Sequence, residues 1–501
     1  MRTSCDKVNY SLANRAPVSA AMILGTFLLL LVFLSSFPNC QAQEECTVTL
    51  VRGSATPDGR PLLMKSRDVS NPAQEFVYSD AGTYAYISVT YSGTTNQVWG
   101  GANEVGFAIQ NANAWNFPDE VPGPDDDGYI ILEALSTCLT VDDFQQIMDS
   151  TNNTGRTRPA VYGVIDAFGD GAFFEAASYE YDRYDLDDST AAPNGYMVRA
   201  NFAYSGSSYH LGQHRHDRAL ALMDSAYAGG VLTHEFLFQV VLRDLVNEVV
   251  NPYPLPFRGY DRTLPYGLLH THDSINREIT QSAYIVQGIL PGENPLLSTI
   301  WAMAGEPTVS VALPLWVHAG SVPVEFDGPN GSLLNLKART FRSYVYFEEW
   351  AQDAIDTWRL LDERGYGLLP LLLSLENQAF SLADSALAIW RTQGIPASDI
   401  VEELQNSIAV ESYAALDAWS PPQAPEITAL WLGSDQIQLN WSPVNQDVFG
   451  RPLTVSAYSI YASTQPFYNR EAEDSLTTTS SPPIIITTPE EYRFFQIRCQ
   501  P

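Results

Sequence analysis

Cys46-Thr47-Val48-Thr49-Leu50-Val51-Arg52 and, ten residues on, Leu62-Leu63-Met64-Lys65-Ser66-Arg67-Asp68 decide how this chain is read. The first stretch alternates from Thr47 to Arg52, and the second resumes an apolar run from Leu62 to Lys65. Pro57-Asp58-Gly59 between them is a turn. The pattern predicts a β-hairpin with a cysteine at its leading edge. A cysteine exposed as the first residue of a mature chain carries two reactive groups. Its thiol can attack an acyl carbon, and its α-amine, with an unperturbed pKa of about 8, can serve as the base for its own side chain. A half-cystine or a small buried apolar residue is the plainer reading of Cys46.

The residues ahead of Cys46 support exposure. Arg2, Lys7 and Arg15 make a basic region, Ala20 to Phe37 is apolar around Leu28-Leu29-Leu30-Leu31, and Asn39-Cys40-Gln41-Ala42 ends in a small residue. Residues 1–42 read as a cleaved secretory signal, which implies a secreted or periplasmic protein. An uncleaved membrane anchor is the alternative, because the run has the length of a short span. Cleavage after Ala42 leaves the stub Gln43-Glu44-Glu45, which must be removed to free the amine. Attack of the Cys46 thiol on the preceding carbonyl would remove it. Signal peptidase cutting beside the cysteine would do the same.

The formal net charge of −31 over 501 residues argues against nucleic acid as a partner. Lysine occurs only at Lys7, Lys65 and Lys337. After processing, Cys46, Cys138 and Cys499 remain, an odd trio with no CxxC spacing, so neither a disulfide framework nor a cysteine metal site is expected. A chain this long implies one large domain with an appendage.

Further along, Tyr84–Tyr91, Gly106–Trp115, Val161–Asp166, Ala172–Ala177 and Tyr196–Ala203 read as strands, and Tyr129–Met148 as a helix. Helices are predicted at 213–227 and 233–248, strands near 279–288, 298–304 and 308–316, and a helical segment over 341–418. Blocks of strands and helices predict layered α+β and not a doubly wound parallel sheet. Pro421-Pro422-Gln423-Ala424-Pro425 is a linker by composition. Short alternating strands follow it. Leu439-Asn440-Trp441-Ser442-Pro443 and Tyr458-Ser459-Ile460-Tyr461 resemble a fibronectin type III domain, short enough for an edge strand to be missing.

A thiol nucleophile needs something to hold its base and donors for the oxyanion. Asp68, returned by the hairpin beside the start of the first strand, is the candidate to hold the amine; a turn-capping aspartate is the plainer reading. Lys65 would place a cation near the thiol and favour the thiolate, with Arg67 a competitor for that role. Asn111 and Asn113 share one strand face, and a side-chain amide is a neutral oxyanion donor. Asn201, in Val198-Arg199-Ala200-Asn201-Phe202, would supply a second donor or fix the α-amine.

These motifs together resemble an N-terminal-nucleophile (Ntn) hydrolase of the group holding bile salt (choloylglycine) hydrolases, penicillin V acylases and the acyl-CoA:6-aminopenicillanate acyltransferase type. That family starts Cys-Thr or Cys-Ser, with Arg-x-x-Asp on the hairpin, here Lys65-Ser66-Arg67-Asp68. An Asn-Glu-x-Gly-Leu run follows, here Asn103-Glu104-Val105-Gly106-Phe107, and the oxyanion position beyond it falls on Asn113. Leu135 to Asp143 matches the family's helix end, Asn201 its strand-end asparagine, and Arg277 its later arginine. The match is strongest over 46–220. The departure at Lys65 matters, because lysine cannot clamp a carboxylate bidentately.

The resemblance implies a four-layered αββα domain over 46–420, with a helical C-terminal extension and a small β-sandwich over 421–501. It implies cleavage of linear amides through a thioester on Cys46, with Asp68, Asn113, Asn201, Lys65 and Arg277 as site residues and no cofactor. A thioester-using acyltransferase would use the same residues. A catalytically inactive secreted binding protein is the alternative of another class. The partner expected is a small-molecule or peptide amide. Stable membrane insertion after signal cleavage is not expected. Surface or polysaccharide contact through the C-terminal domain, and self-association, stay open. The histidines at 210, 214, 216, 270 and 272 lack a further ligand in sequence, so no metal site is expected. Asp125-Asp126-Asp127-Gly128 reads as a solvated loop rather than a calcium site. Asn152 and Asn330 head sequons.

Overall fold

In the computed structural model, residues 45–362, 367–433, 435–463, 475–487 and 494–500 are described, and they belong to one compact unit. Residues 1–42, expected to be a secretory signal, and most of the expected stub lie outside the described residues.

The predicted hairpin is the pair β1 (Glu45–Val51) and β2 (Leu62–Asp68), joined antiparallel with Cys46 opposite Arg67 and Glu45 opposite Asp68. Strands β3 (Gln74–Ser79), β4 (Tyr86–Tyr91), β5 (Gly100–Asn103) and β6 (Ala108–Asn113) follow. Then come helices α1 (Asp127–Thr137) and α2 (Val141–Thr154), and strands β7 (Ala160–Ile165), β8 (Gly171–Ala176), β9 (Tyr181–Asp185) and β10 (Tyr196–Arg199). Helix α3 (Gln213–Ala228) precedes β11 (Leu268–His270), β12 (Thr280–Gln287), β13 (Thr299–Met303) and β14 (Leu313–Leu315). Helix α4 (Leu333–Val345), β15 (Ala354–Asp356), α5 (Leu368–Gln393) and α6 (Ser398–Ala418) close the large domain.

Two antiparallel sheets result. One has the order β10-β1-β2-β12-β13-β14, and the other is the meander β3 to β9. Strand alternation gives each sheet two apolar faces. Cys46, Val48, Leu50 and Leu63 of the first sheet meet Phe76, Val89, Ala112 and Phe173 of the second between the sheets. The outer face of the first sheet (Met64, Ile285, Trp301) packs on Met223 of α3 and on Phe380, Leu387 and Trp390 of α5. The outer face of the second (Ile109, Tyr162, Phe174) packs on Leu135 of α1 and Phe144 of α2. The layers are therefore α, β, β, α. Each large apolar side chain fully buried this way contributes roughly 1.5–3 kcal/mol. Helix α5 is part of the fourth layer and not an appendage to it.

Four predicted elements differ. The helical segment over 341–418 is broken after Val345 by β15 and a single turn at Thr357–Leu360, and its long helices begin at Leu368 and Ser398. The helix over 129–148 is two helices, because Thr140 begins α2 with a capping box shared with Asp143. The helix over 233–248 is reduced to a turn at His234–Phe236 and a π-helical turn at Leu237–Val241. Beyond it Arg243 is drawn to Glu376 of α5 and to the carbonyls of Pro307 and Ser310, so tertiary bonds override the local pattern. The strand over 308–316 keeps only Leu313–Leu315, at the sheet edge, where Pro314 lacks an N–H for further pairing.

After 421 the chain forms β16 (Ile427–Gly433), β17 (Gln436–Trp441), β18 (Ala457–Ser463), β19 (Ser475–Thr479), β20 (Ile484–Thr487) and β21 (Phe494–Gln500). Among the described residues they make two three-stranded sheets, β16-β17-β20 and β19-β18-β21. Leu439, Trp441 and Ile486 of one face Tyr458, Ile460 and Ile497 of the other, a small β-sandwich with its own core.

Candidate active site

Strand β10 ends its ladder with β1 at the pair Val48 and Arg199, so the Cys46 N–H has no backbone partner there. Asn201 fills the gap: its side-chain Oδ1 accepts from Cys46 N at 2.7 Å, and its Nδ2 donates to the Asn113 carbonyl at 3.1 Å. A strand-end asparagine thus fixes the nitrogen that would become the α-amine.

Alternation along β1 and β2 sorts the site into two sides. Cys46, Lys65 and Arg67 share the inter-sheet side with Tyr284, Tyr91 and Trp99. The Cys46 thiol is buried, and burial raises its pKa, with Lys65 and then Arg67 pulling it back down. Lys65 Nζ donates to Asn111 Oδ1 at 2.6 Å and to the Trp99 carbonyl at 2.8 Å. Asn111 in turn donates to Asp127 at the start of α1. Arg67 lies over the Tyr91 and Trp99 rings at 4.5 Å each and donates to Gln74. Both cations therefore influence the thiol, and both spend hydrogen bonds on tying β2 to the second sheet.

Glu45, Thr47 and Asp68 lie on the opposite side of the same strands. Asp68 is fully buried, accepts from Thr280 Oγ1 at 2.7 Å, and has 3.9 and 3.7 Å contacts to Arg215 and Arg277. Burial pushes its carboxyl up to about 6, against the pull of Arg277 and Arg215. Arg215, from the first turn of α3, donates to the Cys46 carbonyl, to Thr47 Oγ1 and to Asn201 Oδ1, and pairs with Glu45 at 2.5 Å. Arg277 lies 2.7 Å from the Glu45 carboxylate. Burial opposes the Arg277 charge, but Asp68 and Glu45 raise its pKa.

The structure thus gathers Cys46, Asp68, Asn201 and Arg277 at one strand end, with Lys65 and Arg67 on the thiol side. Asn113 reaches the group through its backbone carbonyl. Its side chain shares the strand face of Asn111, opposite Ala112, which packs in the inter-sheet core with Cys46. Arg215 and Glu45 are the site residues that sequence reasoning missed. Arg215 sits in a His-Arg-His-Asp-Arg stretch whose periodicity carries no sign of its partners, and in sequence Glu45 is only part of a stub. Asn103 is a turn residue: it accepts from Phe107 N and donates to the Leu135 and Cys138 carbonyls.

Cys46, Cys138 and Cys499 are all unpaired. Asp126 accepts from the Thr157 and Arg158 amides, and Asp125 pairs with Arg158, so the acidic loop is tied into the fold. His270 and His272 acquire the third group that the sequence did not reveal. Asp353 lies 3.0 Å from His270 and 3.2 Å from His272, with the three sets of ligand atoms within 4.8 Å of one another. Mutual charge holds this cluster together. Burial works against the Asp353 charge, yet hydrogen bonds from His272 and His270 hold its carboxyl at about 2, and the His272 imidazole is raised by its bond to Asp353.

No family model matches the chain, and no curated protein does. Among solved structures, the penicillin V acylase from Agrobacterium tumefaciens is similar over 54% of this chain and 86% of its own, at 13% identity and a TM-score of 0.34. A conjugated bile acid hydrolase from Clostridium perfringens is similar over 54% of this chain and 92% of its own, at 12% identity and a TM-score of 0.32. A thermostable penicillin G acylase from Alcaligenes faecalis follows over 38% of this chain and 51% of its own, at 11% identity and a TM-score of 0.28.

Proposed function

We propose that this chain is a cysteine Ntn amidohydrolase that cleaves linear amides through a thioester on Cys46. One observation carries the reading: a buried thiol at the end of an internal strand has its own backbone nitrogen held by Asn201 at 2.7 Å, with a buried carboxylate, Asp68, on the neighbouring strand. A structural cysteine needs neither partner. Once Cys46 is the first residue, its amine takes the thiol proton while sulfur attacks the amide carbon. The tetrahedral oxyanion collapses, the C–N bond breaks, and the amine product leaves with that proton. Water then cleaves the thioester and restores the thiol. Asn201 and Asp68 orient the amine, backbone N–H groups hold the oxyanion, and Lys65 and Arg67 lower the cost of the thiolate. An acyltransferase would differ only in the acceptor that takes the acyl group.

Residues 1–42 act as the secretory signal in this reading, and the protein works outside the cytoplasm. Residues 46–420 form the catalytic domain. The strand order of the C-terminal sandwich supports the fibronectin type III resemblance for 421–501. Among the described residues, no helix is long and apolar enough to cross a membrane.

Intact mass and N-terminal sequencing of the secreted protein, beside Cys46→Ala, test the proposal. Wild type is expected to start at Cys46 and the variant to retain Glu45. A wild-type protein that keeps Glu45 has no free amine at Cys46, and the mechanism falls.

A further inference from the structure

We infer that Arg215 and Arg277 form a carboxylate-binding subsite, filled by Glu45 before processing and by the acyl part of an anionic amide substrate afterwards. The inference rests on the amidohydrolase reading above. Arg215 is 1% and Arg277 8% exposed in their side chains, and both reach the Glu45 carboxylate, at 2.5 and 2.7 Å. Asp68, fully buried, is the other carboxylate in contact with both. Two cations thus face two anions while Glu45 is attached. Removing Glu45 leaves two guanidinium groups in contact with one carboxylate, with Glu278 acting on Arg277 from further off and a new α-amine beside them. Leaving a largely buried charge uncompensated is costly, so the vacated position favours an anion.

Hydrogen bonding points the same way. The contact of Arg277 Nη1 with Glu45 lacks hydrogen-bond alignment, and its Nε has no hydrogen-bond partner among the described residues. Asp68 Oδ2 likewise has none. Glu45 therefore leaves donor capacity in the pair unused, and a ligand free of the chain can align with it better.

The covalent geometry fixes which part of the substrate bears the charge. Self-processing would join the Glu45 carbonyl carbon to Cys46 Sγ as the Glu45–Cys46 C–N bond breaks, and water would release the Glu45 carboxylate. Glu45 thus occupies the acyl side of the bond. Three carbons separate its scissile carbonyl from its side-chain carboxylate, the spacing of a glutaryl group. The subsite accordingly selects N-acyl amides whose acyl chain ends in a carboxylate at that distance. The overall negative charge of the protein repels anions at range, but at ordinary ionic strength it is screened beyond roughly 8 Å, and the local pair prevails.

The test compares N-glutaryl-, N-pentanoyl- and N-pentanoylglycine amide hydrolysis by the chain beginning at Cys46, using 4-nitroanilides for the first two. Calorimetry of glutarate with that chain and with the Cys46→Ala precursor runs beside it. The glutaryl substrate is expected to exceed the pentanoyl one by about tenfold or more in kcat/KM, the size of one charge-assisted contact. Glutarate is expected to bind the processed chain and not the precursor, where Glu45 fills the site. Equal or better turnover of the pentanoyl anilide, or preference for the glycine conjugate, overturns the subsite and leaves the amidase intact. If no amide is cleaved, the amidase reading fails. Glutarate binding then decides the subsite alone, and its absence from the processed chain overturns it. No arginine is substituted, and the comparison of substrates uses the wild-type chain alone.

Discussion

Asp68 shows how burial and neighbouring charge combine at a single residue. With Glu45 attached, its carboxyl titrates near 6 because burial outweighs the two arginines. If the charged form orients the nitrogen of Cys46, self-processing should slow as pH falls through about 6. It should speed up again in alkali as the buried thiol ionises. Rates of stub loss measured by mass across pH check this, and Asp68→Asn should abolish the acidic limb. In the processed chain the repulsion from Glu45 is gone, so the corresponding limb of substrate turnover should move to lower pH. Asn113 is the residue whose role is most exposed to refutation. With its side chain on the strand face away from the thiol, Asn113→Ala should leave kcat nearly unchanged. A fall in kcat of about 10²–10³ with little change in KM would instead make the side-chain amide the oxyanion donor that the sequence suggests. Asp68 and Asn201 were legible in the sequence because each sits at a strand end that the pattern already located. Glu45 was not, because its meaning depends on two arginines that are 170 and 232 positions away.

Among elements, the short pair β11 and β15 is joined by three backbone pairs and by the His270, His272 and Asp353 cluster. Asp353 has a depressed folded pKa of about 2, so its contribution is present above its ordinary value of about 3.9 and lost as pH falls toward 2. His272 has a raised folded pKa, so its contribution is complete below its ordinary value of about 6.5 and is lost as pH rises through the folded value. Asp353→Asn should therefore lower Tm most near pH 5 and least at strongly acid or alkaline pH, in thermal melts across pH. A pH-independent loss would mean that packing, not charge, ties the pair. The sequence displayed both histidines but not Asp353, which arrives from 81 residues further on. Helix α2 was the reverse case: Thr140 and Asp143 spell a capping box, and the continuous apolar spacing from Tyr129 to Met148 concealed it.

For the whole molecule, the two sheets and their helical covers follow from alternation, while the attachment of the C-terminal sandwich does not. Phe449 packs against Phe341 and Tyr344 of α4 and Trp419 after α6, at ring distances of 5.9, 6.1 and 6.1 Å. Arg451 donates to the Asp417 and Trp419 carbonyls, and Arg498 pairs with Asp362 at 2.7 Å. The proline-rich segment that composition marks as a linker is therefore spanned by contacts on either side. Phe449→Ala should cost ~1–3 kcal/mol and lower the unfolding temperature of the large domain along with the sandwich. Two separate transitions, with the first domain unmoved, would show that the domains are uncoupled. The sequence by itself determined the hairpin, the cysteine at its edge, the layered α+β class and the all-β tail, because these depend on local period and turn chemistry. Only the tertiary structure decided that Arg215 and Arg277 converge on Glu45, that Lys65 is tied to Asn111, and that α5 forms the fourth layer. Those outcomes depend on which distant groups can share a buried space, and charge and burial balance only once the chain is folded.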